Sequence, residues 1–169
     1  MIQKVSLYFD GGNMNDLKDL LIYEDVNNYT GLTKELKCLL VYKKYSETKE
    51  GMLVLFGVSA EDKIEKTQNM AEKLVKLRIF DDENGKTNKS IFDIDGEIMI
   101  VSNFTLYGNL KGTNRPDFFY SAKAEQAEPI YNKFCELVSQ KAKVKTGAFQ
   151  TYMEIETVLD GPGTYILEM

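Results

Sequence analysis

The chain has 169 residues, 43% hydrophobic and 28% charged, with a formal net charge of −5: enough for one core and too few for two comfortable ones. It contains no histidine, which excludes a serine or cysteine nucleophile served by an imidazole base and a histidine-ligated zinc or iron centre. The acidity argues against sequence-independent binding along nucleic-acid backbone, and no apolar run approaches the roughly 20 residues of a bilayer span. Cys38 and Cys135 lie in no metal-like spacing and residues 1–4 open no signal peptide, so a cytoplasmic protein needing no metal or cofactor is expected.

Residues 2–9 alternate as a strand, stopped by Asp10, Gly11, Gly12 and Asn13, which tolerate positive φ. Between 14 and 50 the pattern is mixed: 36–42 resembles a strand, and 13–21 suits either a short helix or an irregular insertion. The apolar run 52–58 predicts a central strand buried on both faces. Ser59 with Asp62 fits a capping box, and Ile64, Gln68, Ala71, Leu74, Val75 and Arg78 mark a helical stripe reaching about Leu77. Residues 81–86 form an acidic turn without the spacing of a calcium loop. A second buried strand is expected over 97–104, ending in polar Ser102 and Asn103. Ala127, Ile130, Tyr131, Phe134, Leu137 and Val138 predict a second helix over 126–140, with Pro129 confined to its first turn or marking its start. Lys141, Lys143 and Lys145 would share one face of an extended stretch, as a solvated rim or a basic border to a pocket. Closing strands are expected at 152–158 and 164–167 around Gly161, Pro162 and Gly163.

Two segments stand out as strand ends breaking into chemistry dominated by main chain, residues 102–107 and 160–164. Without an imidazole, what remains is a carboxylate, lysine or tyrosine base, a cofactor, or catalysis by placement and oriented amides, which suits an already activated ester. From the residues alone, Gly161-Pro162-Gly163 reads first as a plain hairpin turn, and Ser102-Asn103 can be merely a polar strand exit.

Seven segments in order carry a specific resemblance: 51–58, 77–80, 101–106, 115–118, 127–134, 146–149 with Met153, and Asp160-Gly161-Pro162 with Thr164. Together they resemble the D-aminoacyl-tRNA deacylase family, also known as D-tyrosyl-tRNA deacylases. The resemblance implies an α/β fold, a layered β/β/α single domain over 1–169 with two main helices on a mixed, barrel-like sheet pair. It implies an obligate homodimer acting on the acceptor end of aminoacyl-tRNA, in which a cis Gly161-Pro162 turn enters the other subunit's pocket as a chirality filter. Ser102, Asn103, Phe104 and Thr105 would form the catalytic floor, amides near Phe104 and Thr105 holding the carbonyl oxygen while the 2′-hydroxyl of the terminal adenosine assists hydrolysis. Phe149 and Met153 would line the adenine, and Lys4 would stand where the family has an arginine that pins the Gly-Pro carbonyls. Thr105 as a covalent nucleophile ranks second, because it lacks an evident base.

The chain departs from the family pattern at several points: Asn103 replaces glutamine, Lys4 replaces arginine, Leu159 replaces asparagine and Gly163 replaces valine. A lysine lacks the planar fork of arginine, and glycine in an ordered strand costs about 0.5–1 kcal/mol. A loosened filter, with weaker rejection of L-substrates or a shifted range that includes glycyl-tRNA, is the expectation. Residues 10–50 resemble a family-atypical insertion, with Lys34, Lys37, Lys43 and Lys44 as candidate tRNA contacts. The alternatives are a non-catalytic relative that binds nucleic acid or a protein partner, and a generic hydrolase using Asp160 or Asp117 as base with Thr105 or Ser102.

Overall fold

The computed structural model describes residues 2–9, 43–159 and 163–169. The strand and helix proposed at 36–42 and 13–21, and the Gly161-Pro162 peptide with its expected cis geometry, lie outside the described residues. The elements are β1 (Ile2–Phe9), β2 (Lys43–Thr48), β3 (Gly51–Phe56), α1 (Lys66–Val75), β4 (Phe80–Asp81), β5 (Thr87–Lys89), β6 (Glu97–Ser102), a 3₁₀ turn (Phe104–Tyr107), α2 (Ala124–Ser139), β7 (Lys143–Thr146) and β8 (Met153–Leu159).

Six strands form two three-stranded layers joined at one corner. In the first, β1 lies between β2 and β8, antiparallel to both. In the second, β6 lies between β3 and β7, parallel to both. Ile2 pairs with Gly51 at the corner. Gly51 has to be glycine because a Cβ there would stand 1.8 Å from the Glu97 carbonyl oxygen. The layers face each other, since Ser46 of β2 reaches the Met99 sulfur at 3.6 Å and donates to the Thr146 carbonyl at 3.0 Å.

Alternation along β6 explains why two cores form. Ile98 and Ile100 face the helices and join Met52, Ala71, Leu74, Val75, Phe80, Tyr131, Phe134, Leu137 and Val138. Met99 and Val101 point the other way and pack with Leu53 and Met153 between the sheets. The expected layered β/β/α arrangement with two helices is what the chain adopts, and β6 is buried on both faces. β3 is not: Met52 is buried but Leu55 is 41% exposed, because cover on that face ends with Leu53.

Other expectations change in detail. The Ser59–Asp62 pair closes a turn, Ser59 N–H donating to Asp62 Oδ2 at 2.9 Å and Glu61 N–H to Ser59 Oγ at 3.2 Å. The α1 helix starts only at Lys66, because Ser59 is held in a bridge with Ser121. Pro129 is inside α2, five residues beyond its start, rather than in its first turn. Residues 163–169 are irregular, so no strand forms at 164–167 and the strand cost assigned to Gly163 does not apply. Lys143 and Lys145 do share the exposed face of β7, with Lys143 Nζ 2.6 Å from Asp95. Among the described residues no helix is long and apolar enough to cross a membrane.

Candidate active site

The parallel strands β3, β6 and β7 all end at one edge, and the chemistry-bearing segment begins where β6 leaves it. Parallel sheets bind ligands beyond their carboxyl ends, where the next residues are free of the ladder. Asn103 marks that exit. Its N–H still donates to the Phe56 carbonyl at 2.9 Å, but its φ of −144° and ψ of 96° turn the chain into the short 3₁₀ helix.

The Asn103 side chain then fixes the turn. Its Oδ1 accepts the Thr105 N–H at 3.0 Å and the Thr105 hydroxyl as well. This is an Asx cap, and the shorter amide makes it possible: one methylene more would carry the oxygen past the N–H two residues on. The Thr105 amide is therefore spoken for. Phe104 N–H opens the turn, where an i→i+3 ladder supplies it no acceptor. The Thr105 hydroxyl bonds to a carboxamide, which cannot take its proton.

Close packing positions this turn. Phe104 is 57% exposed and meets Phe118 edge-on with ring centroids 4.9 Å apart. Beneath it, a Cβ on Gly57 would come within 3.1 Å of the Tyr107 ring and 3.2 Å of Leu106, so glycine lets the turn settle on the end of β3 without displacing either side chain. Burial raises the Tyr107 phenol above its ordinary value, helped by the charges of Asp62 and Glu168, so it stays protonated near neutrality. Gly57 and Phe118 sit within matching segments, yet nothing in residue type assigned them a role. Only contact with the turn does.

Met153 opens β8 opposite Phe9 and packs with Met99 and Val101, below the β6 exit. Phe149 leans on Tyr131 at 5.7 Å, and the Tyr131 hydroxyl donates to the Ile100 carbonyl at 3.0 Å. Ser102, Asn103, Phe104, Thr105, Phe149 and Met153 thus gather around the carboxyl end of β6. Lys4 does not: it pairs with Val158, toward the other end of the sheet. Gly161 and Pro162 lie outside the described residues. Asp117 Oδ2 accepts from Asn109 Nδ2 at 2.9 Å. A cavity of about 670 Å³ opens elsewhere, between β2, α2 and β7, and none of these residues lines it.

The D-Tyr-tRNA(Tyr) deacylase family model matches residues 36–168. A D-aminoacyl-tRNA deacylase of Caldicellulosiruptor saccharolyticus is 46% identical over 123 residues, 72% of this chain and 83% of that protein. The D-aminoacyl-tRNA deacylase of Symbiobacterium thermophilum is 47% identical over 119 residues, 70% and 79% of the two chains. Among solved structures, "c-Myc DNA Unwinding Element Binding Protein" superposes with a TM-score of 0.75 at 32% identity, over 99% of this chain and 94% of that one. Another, "Structural Analysis of a probable eukaryotic D-amino acid tRNA deacylase", has a TM-score of 0.63 at 13% identity over 93% and 89%, a likeness of fold alone. With the matched span running from before β2 through the 3₁₀ turn and β8, the chain belongs to the D-Tyr-tRNA(Tyr) deacylase family, whose members are hydrolases acting on ester bonds.

Proposed function

We propose that this chain hydrolyses the ester bond of D-aminoacyl-tRNA, releasing free D-amino acid and tRNA, and that glycyl esters are also substrates. The observation that carries the reading is the family match across residues 102–105 together with the unclaimed Phe104 amide at the β6 exit. Water attacks the ester carbonyl, the 2′-hydroxyl of the terminal adenosine assists the proton transfer, and the 3′-oxygen leaves. Phe104 N–H stabilises the oxyanion. An activated ester needs only placement and a preorganised donor, worth several kcal/mol in a dry site, on the order of 10²–10³ in rate.

The Gly161-Pro162 turn of one subunit acts in the pocket of the other, accepting the α-amino group of a D-residue and excluding an L side chain. Support comes from Leu159, which pairs with Ile2 beside Gly51 at the amino end of β3, whereas the catalytic turn follows the carboxyl end of β6. Five residues of strand, about 16 Å, separate those ends, so the chain just before the turn is remote from its own catalytic floor. Val158, Leu159, Tyr165 and Ile166 are all more than half exposed, an apolar border suited to a homodimer contact. Phe149 and Met153 hold the adenine, and the substitutions at Lys4 and Gly163 loosen the filter. The whole chain acts as one cytoplasmic deacylase unit; the unmatched residues before 36 support a family-atypical stretch there.

The test is the rate of ester loss from one tRNA charged in parallel with D-tyrosine, L-tyrosine and glycine, at catalytic protein concentration. Loss of the D-ester and the glycyl ester with the L-ester spared is expected; survival of all three refutes the activity. A lower D-to-L ratio than in a Lys4→Arg, Gly163→Val variant is the sign of a loosened filter, and equal ratios refute it. A second reading, nucleic-acid binding without turnover, draws on the likeness to a protein described as binding a DNA unwinding element. It predicts a gel shift with no ester loss.

A further inference from the structure

We infer that the segment 108–120 is a stacking platform for the unpaired nucleotides preceding the terminal adenosine of the substrate, with Phe119 and Tyr120 taking bases and Lys111 and Arg115 taking phosphates. The inference rests on the deacylase reading above. Phe119 is 83% exposed and Tyr120 59%, an unusual investment of aromatic surface in water. The rings pack edge-to-face at 5.5 Å and 89°. Their backbone is held on both sides. Asn109 and Asp117 exchange two main-chain hydrogen bonds of 2.8 and 3.0 Å, the Tyr120 carbonyl accepts Ala60 N–H at 2.9 Å, and Ala122 N–H donates to the Val58 carbonyl at 2.9 Å. Stacking surfaces fixed in this way lose little entropy when a base arrives.

Position and charge select the occupant. Phe118, the residue before the exposed pair, packs on Phe104, so the platform adjoins the first residue of the turn. Residues 108–116 carry Lys111 and Arg115 and no acid, in a chain whose net charge is −5. Neither cation has an ion-pair partner among the described residues, while both Asp117 oxygens are taken, by Asn109 Nδ2 at 2.9 Å and Phe119 N–H at 3.3 Å. Aromatic faces bordered by unpaired cations match single-stranded nucleic acid, whose bases stack in any sequence and whose phosphates are anionic. A second copy of this chain fits worse, because an isologous contact here would set like charges against each other.

The test compares tRNA charged with D-tyrosine against D-tyrosine esterified to adenosine alone. A Phe119→Ala, Tyr120→Ala variant should raise KM for the charged tRNA about tenfold while the adenosine ester is hydrolysed within about twofold of the parent rate. Lys111→Gln, Arg115→Gln should also weaken the tRNA reaction and flatten its salt dependence by about two phosphate contacts. Equal losses on both substrates would make the rings a support for the catalytic turn and overturn the platform, as would an unchanged KM for tRNA. A fall in sedimenting mass in the aromatic variant would reassign the surface to a contact between copies. If the parent hydrolyses neither substrate, the deacylase reading fails by itself. Anisotropy of labelled uncharged tRNA then decides the platform, through loss of binding in the aromatic variant or its persistence.

Discussion

Asn103 commits its side-chain oxygen to Thr105 twice, once through the amide and once through the hydroxyl, and this separates two mechanisms. A nucleophilic threonine would be indispensable, so Thr105→Val would cost several orders of magnitude. A threonine that only helps hold a turn loses one exposed hydrogen bond, and kcat/KM for D-tyrosyl-tRNA should fall by no more than about tenfold. Single-turnover rates decide between them, and a loss beyond about a thousandfold would restore the covalent route. Asn103→Ala should cost more than Thr105→Val, since it frees the whole turn. Gly57 acts through the same turn from below. Gly57→Ala forces Tyr107 and Leu106 to yield by a few tenths of an ångström, and displacement of the Phe104 donor should lower kcat about tenfold or more with KM little changed. An unaltered kcat would show that the turn adapts freely.

Among the elements, the strands with unbroken apolar runs were legible because burial on two faces leaves little choice of residue. The start of α1 was not. Ser59 and Asp62 have the composition of a helix cap and do make its hydrogen bond, but Ser121 holds Ser59 in a bridge from 62 residues away, and no local pattern reports that. Pro129 gives the reverse case. It stands within α2 with an exposed ring, denying the Glu125 carbonyl its helical donor. Pro129→Ala should stabilise the protein by about 2 kcal/mol, the helix gain less the added freedom of the unfolded chain, and raise Tm by roughly 4–8 °C with activity unchanged. A Tm that stays put or falls would mean that Pro129 fixes a bend that the core requires.

For the molecule as a whole, pH probes which groups folding has moved. Burial pushes the Cys135 thiol from 9.0 up to about 11. The unfolded thiol ionises first, so stability should decline from about pH 9 and level off above 11, a decline that Cys135→Ala removes. Native Cys135, half-buried with a raised thiol, should react with maleimide at pH 8 more slowly than after denaturant is added; equal rates would contradict the raised value. The acid limb runs oppositely. Backbone N–H groups of Lys86 and Asn84 hold the Asp82 carboxyl below its ordinary 3.8, so its contribution is complete above that value and disappears as pH falls through the lower folded one. Asp82→Asn should flatten Tm against pH in that window. Assembly is the remaining test at this scale: sedimentation should show a dimer, and a fully active monomer would remove the cross-subunit filter.

What the amino-acid sequence determined by itself was whatever depends on neighbours along the chain: two amphipathic helices, the buried run of β6, the acidic turn between β4 and β5, and a chemistry without imidazole. The segments from 51 to 164 carried the family resemblance, because seven of them in one order are far more specific than composition. Tertiary structure alone decided that Ile2–Gly51 is a corner, that Ser46 reaches across to Thr146, and that Phe118 joins the basic aromatic loop to the 3₁₀ turn at Phe104. Each of these is a contact between residues whose types permit many partners. Which partner is met depends on how the two sheets close on each other, a long-range property that no window of residues contains.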